Sequence, residues 1–415
     1  MNVLLIFSDQ ETAATTRPPA QTPNHDSLAR RGVSFGQAYC TSPQCSPSRG
    51  TLLTGFFPHQ TGVETNLDAV HARPLSPGIP TLGNRLGAAG FRTGYFGKWH
   101  LSPDGPGAHG FQEVGTVHHH GHEDELIARE AANWLAKRDQ EPWCAVVSFI
   151  NPHDIYRLSG EPDYPIRKDV DLPTNLSDDL NGKPTPQQHF LAEDQGRPFL
   201  GASEVTWRRY RSAYSDLLEQ VDACLGIVLQ GLHLGGQAER TVVVYTSDHG
   251  DLVGAHGLPY KGPCLYDELV HVPLVITWPG LPSAVCDEPI SQIDLMPTLL
   301  DAAGLDPAPS LPGRSLRPRL SGEPTETSQP IAFEYLSKQR WANPLRGIRL
   351  GHWQYNHYLW GGEELYDLAN DPGEQRNRAA DPACAEQLAR MKAQLAAWRK
   401  ASGDDGRWAQ EEVLP

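Results

Sequence analysis

Three short polar runs carry side chains able to hold a cation or move a proton: Asp9-Gln10, Asn151-Pro152-His153-Asp154 and Asp248-His249-Gly250. An aspartate in such a position is, taken alone, more often a helix cap or turn former. Together the three runs say more. Asp9, Asp248 and His249, with the amide oxygen of Gln10, form a mixed oxygen and nitrogen cation site. Oxygen-dominated ligation suits Ca²⁺, Mg²⁺ or Mn²⁺ better than a structural Zn²⁺. Arg49, Lys98, His100, His153 and Lys261 add cations and proton-transfer groups. Lysine and arginine suit tetrahedral oxyanions, and histidine serves as acid and base near neutrality.

These residues need a scaffold that brings distant segments together. Each run follows an apolar stretch that reads as a strand: Val3–Phe7, Trp143–Ile150 and Thr241–Tyr245. In an open α/β sheet ligands bind beyond the carboxyl ends of the strands, so the three converge on one crevice. Further strands are predicted at Arg92–Phe96 and Leu269–Trp278. Helices are predicted at Thr81–Ala89, Asp124–Arg138, Val205–Gln230 and Asp294–Ala303. In the second of these, Ile127, Ala131, Trp134 and Leu135 share one face. The alternation predicts an α/β fold with a large, mostly parallel sheet flanked by helices.

Two passages break the alternation. Residues 155–204 carry six prolines and read as a long excursion; residues 307–330 read as a linker or wrap. Beyond them, strands at Ile331–Tyr335, Arg346–Leu350 and Trp353–Tyr358 precede a helix over Pro382–Lys400, with Leu388, Met391, Leu395 and Trp398 on one side. The expected organisation is a catalytic domain over 1–306 and a small C-terminal α+β subdomain over 331–415, an antiparallel sheet plus a helix.

The net charge of −15 argues against a protein that coats nucleic acid, though it does not exclude a local cationic pocket. Apolar runs fall short of the roughly 20 residues that cross a bilayer. The first residues form a strand without a basic leader region, so a cytoplasmic location is expected, or a secreted or periplasmic one if a leader was removed. Seven scattered cysteines suggest neither a disulfide framework nor a zinc ribbon, and Cys40, Cys144 and Cys264 read as core thiols. His118-His119-His120-Gly121-His122 reads as a polar loop that, if functional, lines the substrate cleft.

Cys45-Ser-Pro-Ser-Arg49, within a stretch ending Leu-Leu-Thr-Gly55, resembles the signature of the formylglycine-dependent sulfatases, in which Cys-x-Pro-x-Arg directs oxidation of the cysteine to an aldehyde. Gly94-Tyr-Phe-Gly-Lys98-Trp-His100 resembles the family's second signature. Tyr260-Lys261 with the run Tyr266–Ile276, Ile293–Asp301 and Glu364-Leu-Tyr-Asp resemble later landmarks. The resemblance implies an alkaline-phosphatase-like fold and metal-dependent hydrolysis of a sulfate ester. It makes Cys45 the formylglycine, and Asp9, Gln10, Cys45, Asp248 and His249 the ligands of one divalent cation, Ca²⁺ before Mg²⁺ or Mn²⁺. Arg49 would hold the modified side chain, Lys98 and Lys261 the sulfate oxygens, and His153 and His100 would move protons. Asn66 lies where relatives place a polar contact. The aldehyde hydrate offers one hydroxyl to attack sulfur and a second that lets sulfate leave, which a plain serine or cysteine lacks.

The resemblance also implies a formylglycine-generating enzyme as maturation partner. The acidic balance disfavours long polyanions, so the expected substrate is a small-molecule or carbohydrate sulfate ester, a small or singly sulfated alcohol, sugar or phenol. One departure matters. The common pattern has Asp-Asp where this chain has Asp9-Gln10, a dipeptide also found in choline sulfatases and phosphonate monoester hydrolases. Hydrolysis of a phosphonate or phosphate ester is therefore the runner-up, with Lys98 and His100 favouring the sulfatase. A sulfate-ester-binding protein without turnover is a third reading, should Cys45 stay a thiol. A dizinc phosphatase would need a histidine four residues after Asp154, where Leu158 stands.

Overall fold

The computed structural model describes residues 1–69, 72–116, 121–323, 329–338, 341–360 and 362–406. Its centre is the strand Asn2–Asp9, buried throughout. Alternation sends Val3, Leu5 and Phe7 into one apolar core and Leu4 and Ile6 into another, one on each face of the sheet. Strands Trp143–Pro152 and Thr241–Ser247 flank it in parallel. Arg92–Gly97 pairs in parallel with the former, and Leu274–Thr277 antiparallel with the latter. Short edge strands complete an eight-stranded, mostly parallel sheet.

Helices cover both faces. Asp124–Ala136 and Glu204–Leu234 pack on one side, through Ile127, Ala131, Val221 and Leu225. Cys45–Thr54, Leu82–Ala88 and Leu295–Ala302 pack on the other, through Leu52, Leu53, Leu82, Leu86 and Leu299. Helix Glu204–Leu234 is, among the described residues, the one long and apolar enough to cross a membrane by length and composition. In the fold its apolar side rests on the sheet.

The expected strand over Leu269–Trp278 is not continuous. Asp267–Val270 is a helical turn, and two short strands, His271–Val272 and Leu274–Thr277, join different sheets on either side of Pro273. Proline has no N–H to continue a ladder. The C-terminal strands Ile331–Lys338, Trp341–Leu350, Trp353–Tyr358 and Gly362–Asp367 form an antiparallel sheet. The second begins five residues earlier than expected, and the fourth had no prediction. Phe333, Tyr335, Leu345 and Tyr366 pack on Tyr39, Leu265 and Tyr266 of the main body. The opposite face, Ile348, Tyr355 and Leu365, meets Met391 and Leu395 of helix Ala385–Ser402.

Residues 155–204 are folded against the body. They contain helices Ile155–Leu158 and Thr185–Glu193, and Ile155 and Phe199 pack on Trp207, Tyr210 and Tyr260.

Candidate active site

The ends of the two central strands bring Asp9, Gln10, Asp248 and His249 together. The Asp248 N–H donates to the Ser8 carbonyl, and the Gln10 N–H to Asp248 Oδ1 at 3.0 Å. Over them sits the N-terminus of helix Cys45–Thr54. Cys45 Sγ lies 3.5 Å from Asp9 Oδ1 and 3.2 Å from His249 Nε2. One turn later on the same helix face stands Arg49. Its Nη2 donates to Asp9 Oδ2 and its Nε to Asp248 Oδ2, each at 2.8 Å, and its Nη1 to the Lys98 carbonyl and Ser148 Oγ. The guanidinium clamps the two carboxylates beneath Cys45, because the helix aims residue 49 down into the sheet.

Lys98 arrives from the strand Arg92–Gly97. A Cβ on Gly97 would collide with the Ser148 carbonyl oxygen, so glycine there lets Lys98 N–H bond Ser148 and bring its ammonium inward. Lys98 Nζ is 2.6 Å from Asp9 Oδ2 and 4.0 Å from Cys45 Sγ. Lys261 Nζ is 2.8 Å from Cys45 Sγ and 3.1 Å from His249 Nε2.

This arrangement sets the local charges. Burial and the Asp9 carboxylate oppose ionisation of the Cys45 thiol, but Lys261, Lys98 and His249 outweigh them and hold it well below the usual thiol value. Burial would raise Asp9, yet Lys98, Arg49 and Lys261 keep it well below the carboxylate range. Burial and the neighbouring Asp9 push Asp248 up. Burial, Lys98 and Lys261 keep His153 neutral against the pull of Asp9.

The donor set is compatible with a divalent cation. One ligand atom from each of Asp9, Cys45, Asp248 and His249 lies within 4.8 Å of the others. His249 Nδ1 faces the Gly250 carbonyl at 2.9 Å, which can only accept, so that nitrogen carries the proton and Nε2 keeps its lone pair. Gln10 Oε1 is buried without a partner, while its Nε2 donates to Asp251 Oδ2 at 2.7 Å. Asp251 is fixed in turn by Tyr210 Oη and the Val253 N–H. A buried amide oxygen without a partner is one more group that could hold a cation.

Above the floor opens a cavity of about 580 Å³, lined by Lys98, His100, His153, Tyr156 and Lys261 among others. His100 Nδ1 is buried without a partner. Trp99 Nε1 bonds Ser102 Oγ, which bonds His109, and this chain holds the turn that carries His100. His153 follows the strand Trp143–Pro152, whose end is pinned by Asp124 accepting from the Ile150 and Asn151 N–H groups. Burial pushes Asp124 up to about 7. Asn66 lines the cavity and its Oδ1 caps the Ser46 N–H.

Asp9, Gln10, Cys45, Arg49, Lys98, Asp248, His249 and Lys261 thus gather at the strand ends, and Asn66, His100 and His153 line the cavity beside them. Residues 117–120 fall outside the described residues, so most of the histidine tract has no placement. The Gly121 N–H bonds Asp154 Oδ2. Cys40, Cys144 and Cys264 are buried free thiols, as expected. Sequence reasoning missed Asp251, Tyr156, Gln195 and Lys338. Asp251 was within reach, since it extends the Asp248-His249-Gly250 run; the other three have no local signature.

The family model described as Sulfatase matches residues 1–305. The chain belongs to the sulfatase family. A second model, N-sulphoglucosamine sulphohydrolase, C-terminal, matches residues 254–401 of this sulfatase. It is 32% identical to the Delta 4,5-hexuronate-2-O-sulfatase of Bacteroides thetaiotaomicron, over 100% of this chain and 92% of that protein. Among solved structures, a 2-O GAG sulfatase superposes with a TM-score of 0.86 at 30% identity, covering 98% of this chain and 93% of that one. The phosphonate monoester hydrolase of Agrobacterium radiobacter superposes at 0.80 with 24% identity, covering 97% and 96%, a likeness of fold. The protein is an enzyme, a sulfuric ester hydrolase.

Proposed function

We propose that this sulfatase hydrolyses the sulfate ester of a small carbohydrate, using Cys45 oxidised to formylglycine and one divalent cation, Ca²⁺ before Mg²⁺ or Mn²⁺. The observation that carries the reading is the position of Cys45: at a helix N-terminus, touching the cation ligands, with two lysines that also line the cavity reaching its Sγ. The names of relatives that act on sulfated sugars support the substrate class. Formylglycine and the cation together supply an activated oxygen nucleophile and a second hydroxyl through which sulfate is released. Asp9, Gln10, Asp248 and His249 would hold the cation.

The chain's own groups do the rest. Lys98 Nζ and Lys261 Nζ bind sulfate oxygens and draw off charge. His153, neutral in the free site, gains a proton when the sulfate anion arrives beside it, and donates that proton to the departing sugar oxygen. His100 takes the proton whose loss expels sulfate. Arg49 keeps Asp9 and Asp248 from repelling one another. Maturation requires a formylglycine-generating partner.

The test joins mass spectrometry of the tryptic peptide holding residue 45 with a panel of 4-nitrophenyl sulfate, sulfated monosaccharides, choline sulfate, a heparin-like polymer and a phosphonate monoester. An aldehyde at residue 45 and fastest turnover of a sulfated monosaccharide are expected. An active enzyme with an unmodified thiol defeats the mechanism. Faster turnover of the phosphonate or of the polymer defeats the substrate assignment.

A further inference from the structure

Two buried lysines of this chain invite comparison. Lys183 is paired: its Nζ lies 3.5 Å from Asp178 Oδ2 and 2.9 Å from Tyr366 Oη, and donates to the Glu374 carbonyl. Lys338, the last residue of the strand Ile331–Lys338, is 5% exposed and lines the same cavity as Lys98 and Lys261. Its Nζ donates to the Lys261 carbonyl and faces the Phe190 ring at 4.7 Å. No carboxylate of the described residues comes within ion-pair distance of it; Asp194 and Asp251 act only from farther away. Burial and the Lys261 charge push the Lys338 ammonium down to about 7.

A desolvated ammonium without a counter-ion is costly, and natural proteins keep one where a ligand brings the missing charge. Lys98 and Lys261 reach the Cys45 sulfur and are placed to bind the sulfate that is cleaved, whereas the contact of Lys338 is with the Lys261 backbone. A second observation points the same way. Gln195 lines this cavity with its Oε1 buried and without a partner, an acceptor waiting for a hydroxyl. Asp68, the carboxylate that lines the cavity, is exposed and screened by solvent.

Resting on the sulfatase reading above, we propose that Lys338 binds a second anionic group of the substrate, a carboxylate or another sulfate carried on the same sugar as the ester that is cleaved. Lys338 is then a specificity residue, supplied by the C-terminal sheet to a site otherwise built from the large one.

The experiment measures kcat/KM for 4-nitrophenyl sulfate, a hexose sulfate, the matching hexuronate sulfate and a disulfated hexosamine, with formylglycine-bearing enzyme and its Lys338→Met and Lys338→Arg variants. The wild type should prefer at least one doubly anionic sugar over the hexose sulfate. Lys338→Met should lower that preference about 10- to 100-fold, the worth of one charge-assisted contact, and Lys338→Arg should keep part of it. Whether the carboxylate or the second sulfate loses more identifies the anion. Equal preference in wild type and Lys338→Met, or an equal loss on all four compounds, overturns the assignment while leaving the sulfatase reading intact. Turnover of none overturns that reading instead. In that event calorimetric binding of the hexuronate sulfate to wild type and Lys338→Met still decides the role of Lys338.

Discussion

The site has a floor and a wall, and they are built on opposite principles. The floor is Asp9, Gln10, Arg49, Asp248 and His249, all fully buried and cross-linked by hydrogen bonds from two strand ends and one helix. The wall is His100, His153, Tyr156, Gln195 and Lys338, drawn from turns, the 155–204 excursion and the C-terminal sheet, with His100 Nδ1 and Gln195 Oε1 left unmatched. In the floor Arg49 and Lys98 offset the repulsion between Asp9 and Asp248, so function and folding share the same contacts. In the wall the unmatched groups weaken the fold and are kept for what they do to a ligand.

The sharpest way to break this contrast is Arg49→Met. It would leave two buried carboxylates facing each other and cost about 3–5 kcal/mol in urea unfolding, partly restored by excess divalent cation. A loss as small as a surface substitution would mean that the floor is not a load shared by folding and function. His153→Ala, by contrast, should lower kcat about 10²- to 10⁴-fold on sugar sulfates, and less on 4-nitrophenyl sulfate, whose leaving oxygen needs no proton. Its unfolding free energy should move by no more than about 1 kcal/mol. Equal rate losses on both substrates would remove His153 from the role of acid.

Asp251→Asn probes the edge of the floor. The side chain that accepts from Gln10 Nε2 would no longer be acceptor-only, the amide could turn, and Ca²⁺ affinity in calorimetry should fall about tenfold. Unchanged affinity would assign the orientation of Gln10 to its backbone alone. The smallest effect concerns Lys338 and pH. In the unfolded chain a lysine holds its proton to about pH 10, whereas Lys338 in the fold holds it to about 7. Between those values the unfolded state binds more protons, so wild-type stability rises with pH. Lys338→Met should be the more stable protein below about pH 7 and lose that advantage towards pH 10. Parallel stability curves would show that Lys338 is already satisfied.

The same contrast explains what could be read from sequence. Asp9, His153 and Asp248 were legible because an apolar strand followed by a polar run predicts both the element and its functional end. Cys45 and Arg49 were legible as a motif, but the direction in which Arg49 points was not, since that depends on how helix Cys45–Thr54 sits on the sheet. Lys338 and Gln195 were invisible: a lysine at a strand end reads as exposed, and only tertiary packing buries it. The division of Leu269–Trp278 was foreshadowed by Pro273, which the apolar run around it outweighed.

Helix Cys45–Thr54 is buried along its entire length. If Cys45 is oxidised as proposed, a maturing protein would have to reach it before that helix docks, in the interval between synthesis and folding. A molecule that folded with its thiol intact would then stay in the inactive form, and exposure to the maturing protein would restore nothing unless the chain were first unfolded. On that reading the working fraction of a preparation would record a race run once, before the active site existed.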